Sequence, residues 1–344
     1  MKSMSTILFL IVSTVFVTNA QPKISLVTKP SEKKIDVLID GKLFTSYIYP
    51  DNIKKPVLWP VISAGGNHIT RQFPLKNKAG ERSDHPHHVG IWLNYGDVNG
   101  LDFWNNSEAI PKEDAAKYGT IYHETLESVR TENGVGRLLV TASWKDYQGN
   151  KLLREITEYH FAVDGKARII DRTTMLKADN GPVKITDNKE GMFAIRVTRE
   201  LELPASGKVE LTDSHGKVTT VDATNDGVAK GNYLSSEGIT GEAVWATRGR
   251  WMKLAGEVNG EKVAIVIFDH PNNAGYPTYW HARGYGLFAA NTLGQKVFSK
   301  GAEEMNFFIE NGESATFRYR LAVFSGDPTI EEIEKMAKEF AAKI

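Results

Sequence analysis

The feature that most constrains the fold is a series of short, alternating apolar runs separated by turn residues. Three such runs follow one another in the middle of the chain, at Arg137–Trp144, Lys151–Val163 and Lys166–Leu176. The connections between them, at Gln148–Asn150 and Asp164-Gly165, are too short for the crossover helix that parallel strands need. The sequence therefore predicts an antiparallel meander and not a βαβ series.

Strand signals continue on both sides of this meander. Asp40-Gly41 lies between two apolar runs, which is a strong hairpin signal. Lys262–Phe268 reads KVAIVIF, a pattern typical of a strand that is buried on both faces. Met192–Leu203 and Ala315–Phe324 alternate like further strands. We expect an all-β fold, a large antiparallel β-sandwich.

One helix is expected near the C-terminus, where residues 328–343 change from alternation to helical spacing. Pro328 suits a first helical turn, and Glu331 and Glu332 lie where the helix dipole favours negative charge. A shorter helix is expected around Lys112–Tyr118. Because no repeat or flexible linker interrupts the chain, we expect residues 21–344 to form a single domain.

The first segment, Met1–Ala20, has the pattern of a secretory signal peptide. Lys2 supplies a positive charge, Ile7–Val17 is apolar, and Thr18-Asn19-Ala20 is a small-residue cleavage site. A membrane-spanning helix needs about 20 apolar residues, and no stretch of the chain provides them. We therefore expect an exported protein, periplasmic or secreted, without a membrane span.

Composition excludes several classes of site. Lysine and arginine together number 42, as do aspartate and glutamate, so the basic surplus typical of nucleic-acid binding is missing. With no cysteine, the chain has neither disulfides nor thiolate ligands, and any metal ion must be held by nitrogen and oxygen. The sequence contains no nucleotide-binding loop motif. Oligomeric state is not determined by these features.

Three histidines lie within five residues, Asp84-His85-Pro86-His87-His88. In an extended segment His85 and His87 point to one side and His88 to the other. Two interpretations with a function remain open: His85 and His87, with Asp84 nearby, hold a divalent metal ion, or one imidazole acts as a general base. The alternative without a function is a loop whose histidines only bond to the backbone.

Two further segments carry polar and aromatic side chains, Thr186–Gly191 and Phe268–Gly286. Combined with the histidine cluster, they give a predicted catalytic set of His85, His87, His88, Glu190 and His281. Arginines bind carboxylates, and aromatic rings stack on the apolar faces of sugars. The predicted substrate-binding residues are Arg71, Trp104, Asp187, His270, Tyr279, Trp280 and Arg283.

Three motifs carry a resemblance to a known family: DHPHHVGIWLNYGDVNGLDFW from Asp84, TDNKEGMFAIRV from Thr186, and FDHPNNAGYPTYWHARGYGLFAANTLG from Phe268. The sequence resembles a bacterial family of uncharacterised secreted proteins labelled "methane oxygenase PmoA". The resemblance implies a supersandwich like that of galactose mutarotase, and with it carbohydrate chemistry. The enzyme subunit behind the label is an integral membrane protein, so the label implies no activity here. No catalytic residue set carries over.

Our leading hypothesis is an exported carbohydrate-active enzyme, a hydrolase, lyase or epimerase, that applies histidine and carboxylate acid–base chemistry to a carbohydrate ligand. One alternative is a non-catalytic carbohydrate-binding protein that uses the same aromatic residues. The other is a metal-dependent enzyme built on the Asp84–His88 cluster. All three require that residues far apart in sequence meet in the folded chain.

Overall fold

The structure is a computed structural model that describes residues 22–224 and 226–343. The predicted signal peptide, Met1–Ala20, lies outside the described residues.

Within the described residues, twenty strands, one α-helix and four short 3-10 helices are present. The strands are β1 (Ile24–Lys29), β2 (Lys34–Ile39), β3 (Lys42–Ile48), β4 (Val57–Val61), β5 (Ile91–Tyr95), β6 (Thr120–Glu132), β7 (Val135–Lys145), β8 (Lys151–Asp164), β9 (Ala167–Lys177), β10 (Val183–Ile185), β11 (Gly191–Arg196), β12 (Lys208–Thr212), β13 (Val218–Asp222), β14 (Asn232–Ser235), β15 (Trp251–Val258), β16 (Glu261–Asp269), β17 (Tyr279–Ala282), β18 (Leu287–Asn291), β19 (Phe307–Ile309) and β20 (Ser314–Ser325). The α-helix is α1 (Ile330–Ala341), and the 3-10 helices are Pro30–Glu32, Lys112–Lys117, Arg199–Leu201 and Gly241–Val244.

Two eight-stranded antiparallel sheets form the body of the molecule. The front sheet has the order β1-β2-β3-β4-β5-β11-β18-β17, and the back sheet has the order β14-β15-β16-β20-β9-β8-β7-β6. Two small two-stranded sheets, β10-β19 and β12-β13, lie outside them. The prediction of a large antiparallel β-sandwich is confirmed.

The predicted local pairings are also confirmed. β7, β8 and β9 pair consecutively as an antiparallel meander over nearly their whole lengths. β2 and β3 form the hairpin at Asp40-Gly41, where both residues have positive φ angles of 49° and 75°. A two-residue turn of this geometry follows the right-handed twist of the strands, so it connects them without splaying them apart.

The main core lies between the two sheets, and alternation along each strand decides what enters it. In β16, Val263, Ile265 and Ile267 face this core, whereas Ala264 and Phe268 belong to a second apolar cluster on the outer face of the back sheet. β16 is therefore buried on both faces, as its uninterrupted apolar sequence predicts.

The C-terminal helix covers that second cluster. Ile333, Met336 and Phe340 of α1 are buried against the back sheet. Thr329 and Glu332 form a capping box: the Thr329 side chain accepts from the Glu332 backbone N–H, and the Glu332 carboxylate accepts from the Thr329 N–H. The predicted helix is thus present, somewhat shorter than residues 328–343.

Two predicted elements differ in detail. The strand predicted at Met192–Leu203 ends at Arg196, and the chain then turns through the 3-10 helix Arg199–Leu201. Ion pairs draw the later residues onto neighbouring loops and out of the sheet, including one between Arg82 and Glu202. The helix predicted around Lys112–Tyr118 is a 3-10 helix. Over the described ranges, no helix combines the length and apolarity that crossing a membrane requires.

Candidate functional site

The outer face of the front sheet carries one row of side chains across four neighbouring strands. Trp92 of β5 pairs with Ala194 of β11, Ala194 with Ala289 of β18, and Ala289 with His281 of β17. Strands lie about 4.8 Å apart, so Trp92 and His281 are separated by roughly 14 Å of sheet. The two alanines between them have short side chains, so they form a shallow floor on this face of the sheet. Loops from other parts of the chain lie around this floor.

Two buried arginines hold the histidine loop, residues 82–88, above this floor. The Arg71 guanidinium donates to the carbonyl oxygens of Asp84, His85 and His88 at 2.7–3.0 Å. Arg71 and Arg196 both donate to the Asp84 carboxylate, at 2.8 and 2.6 Å. Arg71 was predicted to bind substrate, but it is 1% exposed and makes five hydrogen bonds to this loop. In the structure it anchors the loop.

The Asp84 carboxylate is held in its charged form. Burial raises its pKa, but the bond from His85 and the charges of Arg196 and Arg71 outweigh burial and lower the pKa below its usual value. The Nδ1 atom of His85 lies 3.3 Å from the second Asp84 oxygen. A proton on Nδ1 directed at this carboxylate leaves Nε2 of His85 free to accept a hydrogen bond.

The histidine rings form part of a continuous stack. His85 lies parallel to Tyr285 on one side, with centroids 5.1 Å apart, and to His88 on the other, at 4.9 Å. His88 in turn stacks on Trp92 at 5.3 Å. The Arg196 guanidinium lies 4.8 Å from the Tyr285 ring centroid. This stack joins the first predicted cluster, through His85, to the third, through Tyr285.

Of the three clustered histidines, only His85 is exposed. Burial, reinforced by the charge of Lys55, lowers the pKa of His87 to about 2. Burial also lowers the pKa of His88 far below its usual value, and its Nδ1 accepts a bond from Arg196 at 3.2 Å. Both rings are therefore neutral at ordinary pH and lie behind His85 in the structure.

His281 and Glu190 meet at the other end of the row. Nε2 of His281 lies 3.9 Å from Oε2 of Glu190, while the other Glu190 oxygen pairs with Lys189. The Glu190 loop lies directly against the end of β5, because Gly96 there has no side chain: a Cβ on Gly96 would lie 2.8 Å from Cβ of Glu190. The separation of 3.9 Å is longer than a hydrogen bond, and an oxygen atom to one side of the pair can bond to both.

The protonation state of His281 follows from its neighbours. The Trp245 indole N–H donates to its Nδ1 at 3.4 Å, so the ring proton sits on Nε2 and faces Glu190. Burial, together with the charges of Lys189, Arg283 and His85, lowers the pKa of His281 to about 3. His281 is therefore a neutral hydrogen-bond donor at ordinary pH, and His85 lies close enough to influence it.

The predicted aromatic stacking residues are not available to a ligand. Trp280 is buried in the core between the sheets, because His281 faces outward and neighbours along a strand face opposite ways. Trp104 is buried under the loops beside Trp92. Tyr279 is buried, and its ring stacks on Phe298. For Trp280 and Trp104, the prediction of stacking on a sugar conflicts with this burial.

Two other predicted residues lie outside the site. The Nε2–H of His270 donates to the Lys343 carbonyl oxygen, 2.9 Å away, and the ring packs edge-on against Phe340 of α1. The Asp187 carboxylate accepts from the backbone N–H groups of Gln295, Lys296 and Met305, and so holds the loop before β19. Arg283 is exposed near the site, within 5.5 Å of the Trp245 ring and 5.8 Å of the Tyr285 ring.

Sequence reasoning missed the two aromatic residues that do border the site, Trp245 and Tyr285. Trp245 follows the 3-10 helix Gly241–Val244, far in sequence from every predicted cluster, and no local pattern marks it. Tyr285 stands two residues after Arg283, in the turn between β17 and β18. This turn lies next to the predicted residues His281 and Arg283, so their positions in the sequence already pointed to Tyr285.

The predicted metal pair, His85 and His87, has no third partner arranged with it. Their rings are roughly perpendicular, with centroids 5.6 Å apart. In residues 22–224 and 226–343, no group of three histidine, aspartate or glutamate side chains has the arrangement of a metal site. The Asp84 carboxylate, which was to complete the site, is bound by two arginines.

Comparison with solved structures gives matches over most of the chain at low identity. The galactosidase domain of an α-galactosidase–sucrose kinase is 8% identical, with a TM-score of 0.44, over 88% of this chain but only 42% of that chain. Galactose 1-epimerase from Lactobacillus acidophilus NCFM is 8% identical, with a TM-score of 0.37, over 89% of this chain and 100% of that one.

A galactose mutarotase-like protein from Clostridium acetobutylicum is 11% identical, with a TM-score of 0.34, over 89% of this chain and 99% of that one. Similarity at this level does not indicate an activity. No curated protein sequence matches the chain.

A protein-family model, described as a family of unknown function (DUF6807), matches residues 34–338. This range contains all three motifs, the histidine loop, Glu190 and His281. The resemblance of the motifs to the family labelled "methane oxygenase PmoA" stays a prediction. The chain belongs to the DUF6807 family.

Proposed function

We propose that this protein is a carbohydrate-active enzyme that moves a proton at a sugar through Glu190 and His281. The observation that carries the proposal is the 3.9 Å separation between His281 Nε2 and Glu190 Oε2. A hydroxyl oxygen beside the line joining the two atoms can accept a hydrogen bond from the imidazole and donate its own proton to the carboxylate. This arrangement polarises the O–H bond from both ends.

In this mechanism Glu190 is the general base and His281 is a neutral donor. With its pKa lowered to about 3, His281 does not take up a proton at ordinary pH, but its Nε2–H can stabilise negative charge that develops on a substrate oxygen. Lys189 holds the second Glu190 oxygen and so fixes the direction of the first. These roles differ from our sequence-based hypothesis, in which a histidine was the base.

A sugar suits the surroundings of this pair. The Tyr285 and Trp245 rings, with Arg283 beside both, combine flat apolar faces with hydrogen-bond donors. Arg283 is exposed and has no carboxylate partner within the described residues, so it suits the carboxylate of an acidic sugar. His85, with Nδ1 directed at Asp84, offers Nε2 to a second hydroxyl.

Among the three reaction types, epimerase or lyase chemistry fits better than hydrolysis. Glycoside hydrolysis normally uses two carboxylates, about 5 to 9.5 Å apart, on either side of the bond. Near the pair, Asp84 is bound by two arginines and Asp187 by three backbone N–H groups, so neither is free to serve beside Glu190. One base with one neutral donor suffices for epimerisation at the anomeric carbon: Glu190 takes the proton of the anomeric hydroxyl, the electrons of that O–H bond form the C1=O bond as the C1–O5 bond breaks, and the ring oxygen takes a proton from water. Closure of the ring on the other face of the carbonyl reverses these transfers.

A second candidate function is carbohydrate binding without catalysis. It is favoured by the lowered pKa values of His87 and His281, about 2 and about 3, because neither ring is then a proton carrier near neutral pH. Under this alternative, Glu190→Gln leaves sugar binding intact and there is no turnover to lose.

The experiment is a panel of neutral aldoses, uronic acids and uronate-containing oligosaccharides, followed by NMR for epimerised products and by ultraviolet absorbance for unsaturated uronates. We expect Glu190→Gln to lower turnover of the responsive sugar by 10²-fold or more, typical of a lost general base. The matched control is Glu310→Gln, an exposed glutamate between β19 and β20. Equal turnover in both variants would refute the proposal.

Export is a separate part of the proposal and rests on the Met1–Ala20 sequence alone. It predicts that the exported protein begins at Gln21. N-terminal sequencing of protein from the periplasm or the culture medium tests this, and an intact Met1 on protein confined to the cytoplasm would contradict it.

A further inference from the structure

One cavity, which we call the Lys55 cavity, lies against the histidine loop, with Pro86 and His87 of that loop in its wall. Its volume is about 340 Å³, and Lys55, His87, Val57, Val89 and Ser107 are among the residues that line it. None of Glu190, His281 and Tyr285 lines it. The loop that presents His85 to the proposed sugar site therefore presents His87 to a different space.

Lys55 is a buried amine that its surroundings leave incompletely bonded. It is 3% exposed, and its Nζ donates one hydrogen bond, to the His87 carbonyl oxygen at 2.7 Å. Nζ also lies 5.3 Å from the centroid of the Trp92 ring. No carboxylate of residues 22–224 or 226–343 forms an ion pair with it, whereas buried ammonium groups are normally paired. Two of its three donors are left over.

Neighbouring carboxylates in the described residues do not form a direct ion pair with Lys55. At the rim of the cavity Lys54 pairs with Glu108, so these two charges cancel. Asp102, the acid whose charge reaches Lys55, is hydrogen-bonded to Trp104 and Asn105. His87 adds a further unsatisfied group: its Nε2 is buried without a hydrogen-bond partner in the described part of the chain.

We infer that the Lys55 cavity binds a small organic monocarboxylate. One unpaired cation balances one negative charge, which favours a carboxylate over a phosphate dianion. The apolar wall of Val57, Val89, Pro74 and Pro86 suits the hydrocarbon part of such a molecule, and the Ser107 hydroxyl can donate to the carboxylate. This site is separate from the one proposed for sugars.

The test is calorimetric titration of the full chain at pH 6 with benzoate, acetate and inorganic phosphate. We expect benzoate to bind, acetate to bind more weakly because it lacks the apolar contact, and phosphate to bind least. Lys55→Met is expected to weaken benzoate binding at least tenfold. Two controls are expected to bind benzoate normally: Lys335→Met on the exposed face of α1, and Arg283→Ala at the sugar site.

Normal benzoate binding by Lys55→Met, its loss in Arg283→Ala, or a preference for phosphate would each overturn the inference. A pH series on the unmodified chain keeps the test valid if Lys55→Met does not fold. Burial, opposed by Asp102, lowers the pKa of Lys55 to about 7. Benzoate affinity is therefore expected to fall up to tenfold per pH unit above pH 7.

Of the other charged groups around the cavity, His87 has its pKa lowered to about 2 by burial, and Lys54 and Glu108 form an ion pair with each other. An affinity that stays constant from pH 6 to pH 9 would contradict the assignment. If no sugar in the panel reacts, the benzoate-binding result still stands, since the two sites share no lining residue named above.

Discussion

The imidazoles around the site differ in burial, and burial fixes the protonation state of the two that are desolvated. His85 is exposed with Asp84 at its Nδ1, whereas His87 and His281 are desolvated and neutral. The sequence placed all three in the site but could not assign their roles. A pKa depends on surroundings that form only in the folded chain.

Lowering the pH from 8 to 4 is expected to leave His281 neutral, with its proton on Nε2. The physical reason is that burial lowers its pKa to about 3 and that the Trp245 N–H occupies Nδ1. Nitrogen-15 NMR of the imidazole resonances reports both the charge and the tautomer. His215, exposed on the β12–β13 turn, is the internal control. Protonation of His281 above pH 5, or a proton on Nδ1, would contradict this account.

Replacing Asp84 with asparagine is expected to lower the free energy of unfolding by about 3 kcal/mol, the range for breaking a buried ion pair. The reason is that Arg71 and Arg196, 1% and 0% exposed, then lose their shared anion. Urea denaturation at pH 7 measures the change. Asp51→Asn, which removes a pair between exposed Asp51 and Lys33, is the matched control and is expected to cost less than about 1 kcal/mol.

The ion pairs of Asp84 also predict how the free energy of unfolding changes with pH. The pKa of Asp84 is lower in the folded chain than in the unfolded chain, so its stabilising effect is present above about pH 4, the unfolded pKa, and is lost as the pH falls below it. Asp84→Asn is expected to remove this part of the acid sensitivity. Equal unfolding free energies for the two asparagine variants would refute the role of Asp84.

At the scale of single elements, α1 offers a matched pair of positions. Ile333 is buried against the back sheet, whereas Ile330, one turn earlier, is 57% exposed. Ile333→Ala is expected to lower the unfolding free energy by about 2–5 kcal/mol through the lost burial and the cavity left behind. Ile330→Ala removes the same atoms and is expected to change it by less than about 0.5 kcal/mol.

Chemical denaturation of the two alanine variants measures this difference. A similar loss in both would mean that α1 does not pack on the back sheet in solution. The helix itself was predictable from sequence, because spacing, capping and first-turn charge are all local. β11 was predicted too long because ion pairs to distant loops, such as Arg82 with Glu202, end the strand after Arg196.

Alternation within a strand explains one avoidable error. Trp280 and His281 are adjacent in β17, so they face opposite sides of the sheet, and both could not border one site. No strand was predicted there. Knowing the strand would have assigned Trp280 to the core as soon as His281 was placed outside.

At the scale of the whole molecule, sheet order is what assembles the site. In the front sheet, β5, β11 and the β17–β18 hairpin are neighbours although they are far apart in sequence. This order brings the loop of His85, the loop of Glu190 and the strand of His281 to one face. Local patterns predict strands and hairpins, but no local pattern encodes a pairing between segments about a hundred residues apart. For the same reason Trp245 and the Lys55 cavity escaped prediction.

The most direct test of the central claim is a double-mutant cycle between Glu190 and His281 on the responsive sugar. If both act on one oxygen, Glu190→Gln and His281→Ala each lower kcat/KM by about 10²-fold or more, and the double variant is little worse than the worse single variant. Unimpaired turnover in either single variant, or losses that multiply independently in the double variant, would contradict the account.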